Sequence, residues 1–199
     1  MKGFYMKIKM IPIVTIVLAL APCVVKAQGN LVFNGGFDTN TNGWVLVNGA
    51  SWPWSGNPGA CVNLSNETPS PSNDPTASQT INSLTPLATY FVSGDYAMGK
   101  DYGGGSPSSN SFGVFIGGVV YFQTVAPGNM DWHSFSFLYT ATSSSAVLSL
   151  SAQMNGTGVC YFIDSIAMYA VPEPSAGCLM LLGSGVLIYV RTRHKRHSR

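Results

Sequence analysis

The middle of this chain predicts an all-β fold, an antiparallel β-sandwich, on three observations. Nothing between Gln28 and Pro174 sustains the 3.6-residue spacing of an amphipathic helix. Short β-like runs alternate instead with clusters of Gly, Pro, Ser and Asn. In His133-Ser134-Phe135-Ser136-Phe137-Leu138-Tyr139 the aromatics recur at every second position, the period of a strand with one buried face.

Taken in order, Leu31 to Phe33, Trp44 to Asn48 and Ala60 to Leu64 are the first expected strands, each closed by turn-forming residues. Ala77 to Ile81 and the long run from Thr89 to Met98 follow. Pro69 to Pro75 and Gly103 to Asn110 read as loops. Phe112 to Ile116 and Val119 to Gln123 flank Gly117-Gly118, a two-residue hairpin turn. His133 to Tyr139 is next, then Leu148 to Ser151, where Leu148 and Leu150 alternate with serines. Val159 to Tyr169 is a long last strand after Asn155-Gly156-Thr157-Gly158. About ten strands at regular spacing suit a two-sheet sandwich.

The two ends are signals. Lys2, Lys7 and Lys9 precede an apolar run from Met10 to Ala21, and Val25-Lys26-Ala27 offers small residues for cleavage, so 1–27 read as a secretory signal peptide. At the other end the segment 171–199 has three parts. Val171-Pro172-Glu173-Pro174-Ser175 cannot extend a strand or a helix, because proline lacks the N–H and restrains its neighbour. The uncharged run 176–190 would cover about 22 Å as a transmembrane helix, short against a hydrocarbon core of about 30 Å. The tail 191–199 is rich in Arg and Lys, which the positive-inside rule leaves in the cytoplasm.

Removing the ends inverts the charge. The whole chain carries a formal +2, but Lys100 alone faces Asp38, Glu67, Asp74, Asp95, Asp101, Asp131, Asp164 and Glu173 in the exported part, a net −7. Phosphate backbones are bound by clustered Lys and Arg, so nucleic acid is excluded as a partner. Neutral sugars and cations remain compatible. Cys61 and Cys160, in an oxidising compartment, are expected either as a disulfide or as two buried thiols.

The order of Pro-Glu-Pro, short apolar run and Arg-rich terminus resembles the PEP-CTERM sorting domain of exported bacterial proteins. That resemblance implies an inner-membrane precursor recognised by an exosortase through Pro172, Glu173 and Pro174, then delivered to the cell surface or outside the cell. The ectodomain, 28–170, carries a second likeness. Asn30-Leu31-Val32-Phe33-Asn34-Gly35-Gly36-Phe37-Asp38, with Gly43-Trp44, is similar to the opening of galactose-binding-like or carbohydrate-binding jelly-roll modules. Phe162-Ile163-Asp164-Ser165-Ile166 is similar to their closing strand, with Ser165 where a second acid is usual. This implies a jelly roll with its first and last strands adjacent, and a structural calcium at Asp38 and Asp164. The residues themselves leave a second reading, in which Asp164 hydrogen-bonds a loop.

Trp52-Pro53-Trp54 is the leading ligand-binding candidate. Residues two apart on an extended segment share a face, so the indoles form a flat platform for a sugar ring or pack over a core edge. Trp44 and Trp132, in strand-like contexts, are expected in the core. Tyr96, Tyr102 and Tyr121 are further rings that would border a sugar site. No catalytic site is expected: Glu67, Asp95, Asp101 and Asp131 sit in no motif, and a glycosidase needs two placed carboxylates. The expected function is a non-catalytic surface protein associated with extracellular polysaccharide or biofilm matrix, needing no cofactor beyond calcium. A structural or adhesion protein without sugar binding, or a polysaccharide-acting enzyme, are the alternatives.

Overall fold

A computed structural model describes residues 29–65, 74–98, 110–125, 131–154 and 160–172. The signal peptide, Glu173, Pro174, the apolar run and the basic tail lie outside the described residues, as do Tyr102, Glu67 and Asp101. Residues 27–171 form one compact unit.

Among the described residues ten strands make two five-stranded antiparallel sheets, a jelly-roll sandwich of the expected class. They are β1 (Val45–Val47), β2 (Ala50–Ser55), β3 (Ala60–Leu64), β4 (Thr76–Ile81), β5 (Thr89–Met98), β6 (Asn110–Ile116), β7 (Val119–Val125), β8 (Trp132–Thr140), β9 (Ala146–Met154) and β10 (Tyr161–Ala170). The first sheet runs β1-β4-β9-β6-β7 and the second β2-β3-β10-β5-β8. Gly117 and Gly118 both adopt positive φ, the conformation the tight β6–β7 hairpin requires and that glycine takes without penalty.

Alternation puts Ala77 and Ile81, Phe112 and Val114, and Leu148 and Leu150 on the inner face of the first sheet. Facing them are Val62 and Leu64, Tyr90 and Val92, and Tyr161, Ile163, Ile166 and Met168. Phe112 ties the layers together, its ring 5.3 Å from Tyr96, 5.8 Å from Tyr161 and 6.0 Å from Phe135.

Leu31 to Phe33, expected as the first strand, are turn and bend residues. They still lie along β10. Leu31 N–H donates to Met168 O and Ile166 N–H to Gly35 O, each at 2.9 Å. Asn30 binds the same strand: its Oδ1 accepts from Val32 N and Met168 N, and its Nδ2 donates to Ile166 O. The reason is a bulge in β10 between Asp164 and Ala167, beyond the last paired residue of β3. The 30–35 segment takes over as the strand's neighbour there, and it approaches so closely that a Cβ on Gly35 would sit 2.0 Å from Ile166 O. The first segment and last strand are therefore adjacent, as the jelly-roll likeness implies.

Candidate functional site

Register fixes what lies on the outer face of the second sheet. Val62 and Leu64 point into the core, so Cys61 and Asn63 point out. Phe162 sits opposite both Asn63 and Ala97, and Ala97 opposite Trp132. One row across the sheet thus reads Asn63, Phe162, Ala97, Trp132. The neighbouring row holds Trp54 opposite Cys61, and Asp164 opposite Asp95, which faces Ser134.

The two tryptophans of Trp52-Pro53-Trp54 do not share a face. β2 bulges between Ser51 and Trp54, so three steps on β2 span two on β3, from Asn63 to Cys61. The extra residue shifts the phase. Trp52 packs on the core and donates its Nε1–H to Phe37 O at 2.8 Å. Trp54 turns outward, 41% exposed, with its ring 5.8 Å from that of Phe162 and its Nε1–H on Ser51 Oγ at 3.1 Å. The platform is therefore one indole from β2 and one phenyl from β10, flanked by the half-buried Trp132 of β8.

Trp132 is a correction to the expected core tryptophans. It is out of phase with Phe135 and Tyr139, which are buried, and so belongs to the outer face. Trp44 is in the core as expected, 8% exposed, its Nε1–H shared between Phe33 O and Asn34 O. Tyr96 is buried against Phe112, while Tyr121 stacks on Phe137 away from this face.

Polar groups lie between the aromatics. Asn63 is 3% exposed, and its Oδ1 is buried with no hydrogen-bond partner. Leaving such an acceptor unpaired costs about 1 to 3 kcal/mol, and its burial keeps it out of reach of a ligand on the outer face. Ser134 Oγ–H donates to Asp95 Oδ1 at 2.7 Å.

Asp38 and Asp164, paired by the calcium expectation, do meet at the turn between β2 and β3. A Cβ on Gly59 would sit 1.9 Å from Asp38 Oδ1, and one on Gly56 would sit 2.7 Å from Asp164 Oδ2. Asp164 is 1% exposed, and its oxygens accept from Asn57 N at 2.7 Å and Ser165 N at 2.6 Å. Burial raises its pKa above the ordinary carboxylate value; the two N–H donors pull the other way, and the Asp38 and Asp95 charges add to the rise. Calcium takes six to eight oxygens. Here Asp38 is exposed, both Asp164 oxygens are engaged, and the turn carbonyls of Ser55 and Gly59 already accept from Cys61 Sγ and Gly56 N. No third acidic, histidine or cysteine ligand completes a cluster among the described residues. Asp164 holds the turn through these hydrogen bonds.

No disulfide joins Cys61 and Cys160; both are buried thiols. Tyr161, next to Cys160, pairs with Leu64, three residues along β3 from Cys61 and about 10 Å of strand away. A bridge needs Cα atoms within about 7 Å. Cys61 donates to Ser55 O at 3.2 Å, and its pKa is pushed up to about 12 by burial first and then by Asp164 and Cys160, which disfavours the thiolate. Pro172, the described member of the Pro-Glu-Pro motif, is exposed just past β10.

The PEP-CTERM protein-sorting motif matches residues 170–196. No curated protein matches the sequence. Among solved structures, TmCBM61 in complex with β-1,4-galactotriose aligns over 72% of this chain and 100% of its own, at 15% identity and a TM-score of 0.52. The family 22 and glycoside hydrolase modules of a Clostridium thermocellum endo-1,4-β-D-xylanase 10B, complexed with xylohexaose, align over 73% of this chain and 29% of theirs, at 19% identity and a TM-score of 0.52. An arabinose-bound MgGH51 α-L-arabinofuranosidase aligns over 72% of this chain and 27% of its own, at 12% identity and a TM-score of 0.50. At these identities the likeness is one of fold, and it extends to both binding modules and enzymes. The chain thus carries a PEP-CTERM sorting motif behind a jelly roll similar to those of carbohydrate-binding modules.

Proposed function

We propose that this is an exported, non-catalytic protein that binds a neutral extracellular polysaccharide through the outer face of its second sheet. After processing by an exosortase, it is held at the cell surface or in the surrounding matrix. The observation that carries the binding reading is the exposed Trp54 ring set against Phe162 on the outer face of the second sheet. Sugar recognition combines an apolar face for the C–H side of the ring with a few fixed polar groups for its hydroxyls. Asp95 and Ser134 supply the second kind, and the acidic surface favours a ligand without negative charge.

The jelly-roll likeness supports this reading, and the sorting motif supports export. Two of the carboxylates considered for catalysis, Asp95 and Asp131, are described; Asp95 accepts from Ser134, the role of a positioned polar group on a binding face. The test is binding of the purified full chain to a panel of neutral polysaccharides and their oligosaccharides, with and without calcium, together with an assay for released sugar. Binding lost in Trp54→Ala, without turnover, is the expected result. Turnover would make the chain an enzyme, and no binding to any glycan would leave a structural or adhesion role.

A further inference from the structure

The opposite end of the same sheet face carries a second exposed apolar surface, and it is built differently. Tyr169 of β10 pairs with Phe91 of β5, which pairs with Leu138 of β8. These three side chains form one row and are 41%, 41% and 60% exposed. Beyond them Val171 N–H donates to Thr89 O, and Thr89 pairs with Thr140. Val171 is 37% exposed, and Leu87, tied through its N–H to Ala141 O, is 82% exposed. No Asp, Glu, Lys or Arg occurs in 87–91, 138–141 or 169–171, although the ectodomain is otherwise acidic.

The chain leaves the sandwich at this end. Glu173, Pro174 and Ser175 alone separate Pro172 from Ala176, where the uncharged run begins, and four residue steps reach at most about 14 Å. We infer that the row of Tyr169, Phe91 and Leu138, with Leu87 and Val171, is a lipid-docking surface that seats the ectodomain on the bilayer interface before the sorting segment is cleaved. This rests on the reading of 176–190 as membrane-inserted.

The chemistry fits that occupant. An interfacial surface wants apolar and amphipathic side chains such as Leu, Phe and Tyr, with no anion to repel lipid phosphates. A sugar subsite would need fixed polar groups convergent between the rings; the hydroxyls here are that of Tyr169 itself and those of Thr89 and Thr140 on one side and Ser93 and Ser136 on the other, with no carboxylate or carboxamide among them. The short tether keeps the row near the bilayer at high effective concentration, so weak individual contacts suffice. Docking also holds Pro172 to Pro174 at the membrane surface, within reach of a membrane protease. The Trp54 and Trp132 end of the sheet then points away, about 20 Å further along the strands.

The test uses the uncleaved full chain in phosphatidylcholine nanodiscs with a gadolinium-chelating headgroup lipid, read by NMR of methyl-labelled leucine and of the tryptophan indoles. Selective loss of the Leu87 and Leu138 methyl signals, with the Trp54 and Trp132 indole signals retained, is expected. In the Leu87→Asp/Leu138→Asp variant, whose changes fall on exposed positions, the remaining indole and methyl signals should show no preferential broadening at this end. Equal broadening at both ends, or stronger broadening at Trp54, overturns the inference. So does crosslinking of Leu138→Cys between copies in the same nanodisc, which would make the row a self-association surface, or a shift of the Leu138 methyls on adding oligosaccharide. Failure of the chain to enter the nanodisc at all refutes the membrane-insertion reading instead, a result distinguishable from an inserted chain that does not dock.

Discussion

The two ends of the second sheet's outer face share a scaffold and differ in what stands between their rings. Near Trp54, Phe162 and Trp132 the aromatics stand beside the hydrogen-bonded pair of Asp95 and Ser134. Near Phe91, Leu138 and Tyr169 the neighbouring outward residues are Val171, Thr89 and Thr140 on one side and Ala167, Ser93 and Ser136 on the other, and no charge is present. Exposed apolar area alone does not separate a sugar site from a lipid site. The polar groups do, because a sugar ring brings hydroxyls that must be matched, whereas a lipid interface penalises any fixed charge set into it.

The largest expected effect sharpens the difference between the neighbours Trp52 and Trp54. Trp52→Ala should lower stability by about 3 kcal/mol in a denaturant titration, since it removes core packing and strands Phe37 O. Trp54→Ala should leave the unfolding midpoint nearly unchanged and weaken glycan binding by about 2 kcal/mol, roughly thirtyfold by isothermal titration. Equal stability losses in both variants would mean that the bulge does not separate their faces.

Asn63→Ala comes next. It removes a buried unsatisfied acceptor, so stability should rise or hold within about 1 kcal/mol in the same denaturant titration. A clear loss of stability would show that the carboxamide is structural. The smallest effect concerns Asp164. Folding raises its pKa, so the folded state binds the proton more tightly than the unfolded chain. Its contribution is fully present below the unfolded carboxylate value of about 4 and is lost as pH rises through the folded value. The unfolding midpoint should therefore decline as pH rises over that window, and Asp164→Asn should flatten the decline. A midpoint that climbs over the same window would contradict the assigned direction.

Much of the fold was legible because it rests on local signals. Period-two alternation marks β8 and β9, Gly117-Gly118 marks the hairpin, and turn clusters mark most boundaries. The candidate site was less legible, since its rings are brought together by pairing between distant segments: Phe162 meets Trp54 only through β3. The bulge that turns Trp54 outward is a matter of register and leaves no mark in the residue pattern. Trp132 is different. Its phase against Phe135, Phe137 and Tyr139 was visible in the sequence, and following that stripe back by one residue places it outside the core. The same reasoning picks out Leu138, the even-numbered apolar residue in a strand whose core positions are odd.

The most direct test of the binding face is an indole NMR titration of the purified full chain with an oligosaccharide that it binds. The four tryptophans report separately, because Trp44 and Trp52 are tied to backbone carbonyls inside the fold while Trp54 and Trp132 lie on the outer face. Shifts at Trp54 and Trp132 with Trp44 and Trp52 unmoved are predicted. Binding that leaves Trp54 and Trp132 unperturbed would contradict the assignment of this face as the sugar site.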